Sequence, residues 1–154
     1  MEKSKFNTEL DKEKRTFNGI TFDSKLEMRY YRDVLLPLVE SGEVVEYELQ
    51  KMYVLQDGFV RNGKRVQPIT YIADFYIRHA DGRVEVIDTK GLPDTTAKIK
   101  RKLFWHRYPE IDYNWVVYIQ KHGGWITYEE EKSAKRQENL KKKREKSDNG
   151  KDAE

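Results

Sequence analysis

The stretch that most constrains the fold of this 154-residue chain runs from Tyr71 to Gly91. β-Branched and aromatic residues fill Tyr71–His79 and Arg83–Thr89, and Asp81-Gly82 between them has the composition of a tight turn. This pattern predicts a β-hairpin. We interpret the rest of the chain as arranged around it.

Three polar side chains interrupt the apolar pattern of the hairpin, and core packing does not explain their presence. Asp74 lies among apolar residues of the first strand, and Asp88 and Lys90 end the second. Because side chains alternate along a strand, Asp88 and Lys90 point to the same face. Two carboxylates on adjacent strands, with an ammonium group beside them, predict a Mg²⁺ site suited to phosphodiester hydrolysis. The plainer alternative is an ordinary α/β protein in which Asp88 and Lys90 form an incidental exposed ion pair.

The spacing of these residues resembles the motif of the PD-(D/E)xK nucleases. Asp74 is followed, after thirteen residues, by Asp88-Thr89-Lys90, and Ala73 stands where that family usually has proline. The resemblance implies a restriction-endonuclease-like α/β (α+β) domain over residues 20–128, with a mixed sheet. Its core order is a helix, three antiparallel strands, a helix and a strand.

The same resemblance implies a function. The expected activity is that of a metal-dependent endonuclease that hydrolyses DNA with Mg²⁺, for which Mn²⁺ would substitute. The chain is most similar to small phage-encoded, Holliday-junction-resolving and transposon-end-cleaving nucleases, so branched or recombination DNA is an expected substrate. A catalytically inactive module of the same fold, binding nucleic acid or a protein, is the alternative.

Glu27 lies in a predicted helix from Ser24 to Glu40, whose apolar residues recur every four positions and which Pro37 should kink or restart. Ser24 and Glu27 match a capping box, in which the glutamate only closes the helix start. In the family that the chain resembles, an acidic residue on the first core helix completes the metal site. Glu27 would then be a ligand with Asp74 and Asp88, and both roles can hold together.

Strands are predicted over residues 44–49 and 52–60, with Asn62-Gly63 as a hairpin turn before the Tyr71 strand. Gln50 interrupts the apolar run, and the resemblance makes it an auxiliary site residue. Arg61 and Lys64 make the hairpin tip basic, which suits either contact with a phosphate backbone or an edge kept soluble.

A second helix, capped by Asp94 or Thr95, is predicted to run to Tyr108, with Ile99, Leu103 and Phe104 as its apolar positions. Trp105 is expected in the core, with stacking on an unpaired base as the alternative. Between Thr95 and Tyr108 the helix contains basic but no acidic residues. We expect three of them to contact DNA, namely Lys98, Arg101 and Lys102. Strands are expected again over residues 114–120 and 125–128.

The ends of the chain are charged. We predict a mobile arm over residues 1–19 and a tail over residues 129–154 that forms a frayed helix with a disordered end. The net charge of +3 and pI of about 8.9 suit DNA as partner, with a homodimer left open. The chain has no cysteine, and no apolar run approaches a membrane span or a signal segment. We therefore expect no membrane partner and a cytoplasmic location, in the host if the protein is phage-encoded.

Overall fold

The structure, a computed structural model, describes residues 11–149. The helices are α1 (Lys25–Tyr30), α2 (Leu36–Glu40), α3 (Thr95–Arg107) and α4 (Tyr128–Asn149). Three further short turns are helical: the 3₁₀ turns Glu13–Arg15 and Gln120–His122, and the π-helical turn Tyr31–Leu35. The strands are β1 (Thr16–Phe17), β2 (Ile20–Thr21), β3 (Val44–Gln56), β4 (Phe59–Arg61), β5 (Lys64–Val66), β6 (Ile69–His79), β7 (Val84–Thr89), β8 (Asp112–Ile119) and β9 (Gly124–Thr127).

Five strands form one mixed sheet in the order β3-β6-β7-β8-β9. The predicted hairpin is confirmed as β6 and β7, which pair antiparallel with Phe75 opposite Ile87. β3 is one long strand that pairs antiparallel with β6, and the Asn62-Gly63 turn closes a small separate hairpin of β4 and β5. The α+β class and the expected order of helix, three antiparallel strands, helix and strand are therefore confirmed.

An aromatic cluster holds α3 against the sheet. Phe104, which is fully buried, packs 4.5 Å from the ring of Tyr113, 5.0 Å from Tyr53 and 5.8 Å from Tyr71. The first helix is held separately, since the ring of Tyr30 lies 5.0 Å from Phe75. Both helices are thus fixed next to the β6–β7 hairpin.

The first predicted helix is interrupted as expected from Pro37. α1 continues into the π-helical turn, and α2 then begins one residue before the proline. Proline has no backbone N–H and crowds the preceding turn, so it is tolerated only in the first turn of a helix.

Part of the predicted N-terminal arm is ordered. Over residues 11–19 the chain forms a 3₁₀ turn and the β1 strand, which pairs with β2. The N–H of Phe22 donates to the Arg15 carbonyl at 3.0 Å, and the ring of Phe17 lies 6.4 Å from Tyr31. The remainder of the predicted arm, residues 1–10, lies outside the described residues.

The charged C-terminal segment forms a helix, as predicted, and α4 runs without a break from Tyr128 to Asn149. Its start is capped reciprocally: Glu130 N–H donates to Thr127 Oγ1 at 3.2 Å, and Thr127 N–H donates to Glu130 Oε2 at 2.7 Å. This T-x-x-E capping box, with three glutamates in the first turn, stabilises the helix end through the macrodipole. The end of the predicted tail, residues 150–154, lies outside the described residues.

Two side chains of α3 differ from prediction although the helix itself is confirmed, with Asp94 as its N-cap. Ile99 is 54% exposed rather than part of the core. Trp105, also predicted to be core, is 43% exposed, and its Nε1 donates to the Tyr113 carbonyl at 3.4 Å. Sequence periodicity does not show how much of the α3 surface the sheet buries.

The described chain divides into two compact units, with the boundary between Trp115 and Val116. The first unit contains the β6–β7 hairpin and both core helices, and the second contains β9 and α4. None of the described helices is long and apolar enough to cross a membrane.

Candidate active site

Asp74 and Asp88 are interlocked across the β6–β7 pair. The Asp74 N–H donates to Asp88 Oδ1 at 3.0 Å. The Asp74 carboxylate in turn accepts, at Oδ2, the N–H of Thr89 at 2.9 Å and its hydroxyl at 3.2 Å. The register of the β6–β7 hairpin therefore places the two aspartates side by side.

Asp88 is almost fully buried, with 1% of its surface exposed. Its second oxygen, Oδ2, lies 3.2 Å from Lys90 Nζ and accepts the Tyr113 hydroxyl at 3.3 Å. Trp115 Nε1 donates to that hydroxyl at 2.8 Å and fixes its orientation. The ion pair of Asp88 and Lys90 is therefore not an incidental exposed one.

Glu27 reaches the site from α1 and is 7% exposed. Ser24 caps the helix, since its Oγ accepts the Glu27 N–H at 3.1 Å and also donates to Glu27 Oε1 at 3.1 Å. The other oxygen, Oε2, accepts Gln50 Nε2 at 3.3 Å. The glutamate thus takes part in the helix start and also faces β3, which agrees with both interpretations of its role.

Gln50 adopts an unusual backbone conformation at this point. Its φ is +55°, in the left-handed region that residues other than glycine rarely occupy. By the β3–β6 register, in which Leu49 opposes Phe75 and Lys51 opposes Ala73, Gln50 lies opposite Asp74. Such conformations cost about 1 kcal/mol or more and concentrate at functional sites.

Burial and neighbouring negative charges raise the pKa values of Glu27 and Asp74. Burial is the main cause that raises the pKa of Glu27 to about 7, and the charges of Asp23 and Asp88 add to it, while the Ser24 hydrogen bond opposes it. Burial also raises the pKa of Asp74 well above its usual value, followed by the charges of Asp88 and Glu27. The Thr89 N–H and Lys90 act in the opposite direction. These shifts favour the protonated forms of Glu27 and Asp74, since all three carboxylates ionised together would carry more negative charge than the Lys90 ammonium group balances.

The donor chemistry fits a hard divalent cation. Carboxylate oxygens are the preferred ligands of Mg²⁺, and a cation would relieve the mutual repulsion of Glu27, Asp74 and Asp88. Within residues 11–149, however, no group of three or more acidic, histidine or cysteine side chains is already arranged to hold a metal ion. Both oxygens of Asp88 are occupied by protein donors, so a cation would take the place of Lys90 at Oδ2.

A cavity of about 390 Å³ opens beside Lys90. The start of α3 borders it with Asp94, Thr96 and Lys100, and aromatic side chains, among them Tyr71 and Tyr113, form part of the remaining wall. Lys90 thus contacts Asp88 and also lines the cavity, which the ammonium group of Lys100 borders as well.

The predicted DNA-contacting residues separate into two groups. Lys98 and Lys102 on α3, and Arg61 and Lys64 at the β4–β5 tip, are exposed as expected. Arg101 is different, because its guanidinium packs 3.9 Å from the ring centre of Trp115 and 4.6 Å from that of Trp105. Arg101 is therefore a packing residue in this structure.

Sequence reasoning missed two residues that fix the carboxylates. Thr89 fills the variable position of Asp88-Thr89-Lys90, so the motif gives no reason to single it out. Tyr113 lies at the start of β8, and only the placement of that strand next to β7 brings its hydroxyl to Asp88. A polar aromatic residue at the start of an otherwise apolar strand was the one available signal.

The chain matches a family model described as "Protein of unknown function (DUF1064)" over residues 3–124. That range contains every carboxylate of the candidate site and ends before α4. No curated protein matches the chain. Since the match covers well over half of the sequence, the chain belongs to the DUF1064 family of proteins of unknown function.

Proposed function

We propose that this protein is a divalent-metal-dependent endonuclease that hydrolyses DNA. The observation that carries the proposal is the cluster of Asp74, Asp88 and Lys90, interlocked across two strands, with Glu27 of α1 near enough for its charge to raise the Asp74 pKa. Buried carboxylates beside an ammonium group and an open cavity suit phosphodiester hydrolysis better than they suit structural stability, since burial of like charges is unfavourable.

Glu27, Asp74 and Asp88 would hold Mg²⁺ or Mn²⁺. The ion would supply an activated water and would neutralise the charge that develops on the phosphate. Asp88 is kept in place for this role by the Asp74 N–H and the Tyr113 hydroxyl, and Asp74 by Thr89. These bonds orient the carboxylates before a ligand arrives.

Lys90 would stabilise the scissile phosphate. Its ammonium group is held by Asp88 and borders the cavity, so it can turn towards a negatively charged oxygen there. Glu27 can take a proton from the attacking water near neutral pH, because burial raises its pKa to about 7. Gln50 would orient Glu27 through its Nε2.

The surrounding charge supports a polyanionic substrate. Lys98 and Lys102 are exposed on α3, the helix whose start borders the cavity. The net charge of the chain is +3. Contacts of this type position a phosphate backbone without reading its sequence. We extend the proposal to branched or recombination DNA, and to action in the cytoplasm, on the motif resemblance alone.

A second candidate is an inactive module of the same kind that binds DNA without cutting it. The observation in its favour is the Asp88–Lys90 ion pair, which already occupies the carboxylate that a cation needs. Both candidates predict that the chain binds DNA, but only the endonuclease predicts that it cuts DNA.

The test is cleavage of linear, single-stranded, flapped and four-way-junction DNA by the purified full chain in Mg²⁺ or Mn²⁺, with EDTA as control. We expect at least one substrate to be cut in either metal and none in EDTA. Binding without cleavage under every condition would favour the inactive module, and neither binding nor cleavage would contradict both.

A further inference from the structure

The helix α4 lies beyond the family match and gathers six of its eight basic residues on one face. At about 100° per residue, six basic side chains project into an arc of about 120°. We call this the basic face, and all of its members are exposed: Lys132, Lys135, Arg136, Lys142, Lys143 and Lys146.

The acidic residues of α4 lie outside that arc, and the same helical geometry places them mostly on the opposite side. They are Glu129, Glu130, Glu131, Glu138, Glu145 and Asp148. A helix that is merely kept in solution usually mixes signs along one face to form i,i+4 pairs. On the basic face, Lys135 pairs directly with Glu131 at 2.6 Å, and Lys142 interacts with Glu138 through its charge alone.

The side of α4 opposite the basic face is the one that packs, and it carries Lys141 and Arg144 as well as acidic residues. Glu138 Oε1 accepts Lys121 Nζ at 2.9 Å, which ties the helix to the Gln120–His122 turn. A groove between these elements is lined by His122, Ala134 and Gln137, among others. Ala134 lies about 180° around the helix from Lys143. The basic face is therefore directed away from the packed side.

We propose that the basic face of α4 binds the phosphate backbone of double-stranded DNA. From Lys132 to Lys146 the helix rises about 21 Å. A duplex strand presents a phosphate about every 3.4 Å along its axis, so the face can neutralise several phosphates at once. The arc contains no aliphatic residue, whereas a helix that binds a membrane surface needs an apolar face. That the polyanion is DNA rests on the proposed function, but binding by this face does not require cleavage.

The chain offers a matched pair of variants for the test. K142Q/K143Q removes two charges from the basic face, and K141Q/R144Q removes two charges from the same turns on the other side. Glutamine has nearly the helix propensity of lysine and arginine, so both variants should keep α4, as circular dichroism at 222 nm would show. None of these residues belongs to the candidate active site.

The measurement is the affinity of the full chain for a duplex DNA as salt is varied, in EDTA so that no cleavage occurs. We expect K142Q/K143Q to lower the slope of log affinity against log salt by about two, and K141Q/R144Q to lower it by less than half as much. Equal slopes for the two variants, or no change in either, would overturn the proposal. So would a larger effect of K142Q/K143Q on binding to phosphatidylserine vesicles than on binding to DNA.

The salt-slope test of the basic face can succeed or fail independently of the cleavage test of the endonuclease proposal. If the chain cuts DNA but the two variants behave alike, the basic face is not a DNA contact. If only K142Q/K143Q has a reduced salt slope but no DNA is ever cut, the basic face binds DNA and the endonuclease proposal fails.

Discussion

Glu27 is the residue whose charge state most depends on the fold. Burial raises its pKa to about 7, above its usual 4.5. Between these two pH values the folded protein holds a proton at Glu27 that the unfolded chain has released. Since stability falls with pH wherever the folded state binds more protons, this residue makes the protein less stable as pH rises from about 4.5 to about 7.

We predict that Glu27→Gln removes this pH dependence. The wild-type melting temperature should fall more steeply than that of the variant between about pH 4.5 and pH 7, because a neutral amide has no proton to lose. Melting curves followed by circular dichroism across that range would show it. The exposed Glu40, at the end of α2, provides the control: Glu40→Gln should keep the wild-type slope.

Mg²⁺ adds a second readout to the same experiment. If ionised Glu27, Asp74 and Asp88 hold the cation, Mg²⁺ should raise the wild-type melting temperature at about pH 8 more than at about pH 5. Glu27→Gln should reduce the gain. An equal gain at both pH values, or one that Glu27→Gln leaves unchanged, would mean that the cation binds elsewhere.

Gln50 combines a strained backbone with a hydrogen bond to Glu27. We predict that Gln50→Gly stabilises the left-handed backbone, by up to about 1 kcal/mol in urea unfolding, while cleavage slows because Glu27 loses the Nε2 bond. Asn62 has a φ of +47° in the β4–β5 turn, which makes Asn62→Gly the matched control. That variant should change stability in the same direction and leave cleavage as it was. Equal cleavage in both variants would remove Gln50 from the site.

At the scale of single residues, the charged groups could be predicted from the sequence but the bonds between them could not. Asp74, Asp88 and Lys90 are recognisable as candidate site residues because core packing does not account for polar residues in an apolar hairpin. The bond from Gln50 to Glu27 depends on a backbone angle, and that from Tyr113 to Asp88 depends on strand order. Neither is encoded in the local residue pattern.

Among the secondary-structure elements, α3 is the one that we propose to contact a DNA backbone next to the candidate site. We predict that Lys98→Ala and Lys102→Ala each lower the slope of log DNA affinity against log salt by about one for every phosphate that the lysine neutralises. Stability should not change, because both side chains are exposed. Titrations of duplex DNA in EDTA at several salt concentrations would measure the slopes.

Arg101→Ala on the same helix should change stability rather than the salt dependence of DNA affinity. Its guanidinium packs between Trp105 and Trp115, so truncation should lower the urea midpoint and change the salt slope little. If all three substitutions changed the salt slope alike, Arg101 would be a DNA contact, as its sequence position predicts. If none did, α3 would be ordinary solvated surface.

Elements with a strong local pattern could be predicted, and those set by distant contacts could not. The β6–β7 hairpin has a turn and two apolar strands, and α3 has an N-cap and a periodic stripe. The π-helical turn Tyr31–Leu35 has no sequence pattern of its own beyond the proline that follows. A helix was predicted for the charged C-terminal segment, but the Thr127–Glu130 capping box that starts α4 was not recognised.

In the whole molecule, the candidate active site and the basic face of α4 belong to different parts of the chain. All carboxylates of the site lie in the first compact unit and within the family match, whereas α4 lies in the second unit and outside it. The +3 net charge agrees with a polyanionic partner but carries no information about chemistry. Catalysis must therefore be tested at the carboxylates themselves.

The most direct measurement is the single-turnover rate of DNA cleavage in Mg²⁺ for wild type, Asp74→Asn and Asp57→Asn. Asp57 is an exposed aspartate paired with Arg107, so its variant is a control for the same chemical change away from the site. We predict that Asp74→Asn slows cleavage by roughly 100-fold or more while DNA binding in EDTA is retained, since the amide has no charge to hold the cation. Asp57→Asn should cut at the wild-type rate. Cleavage by Asp74→Asn at the wild-type rate would contradict a metal-dependent nuclease site at this hairpin.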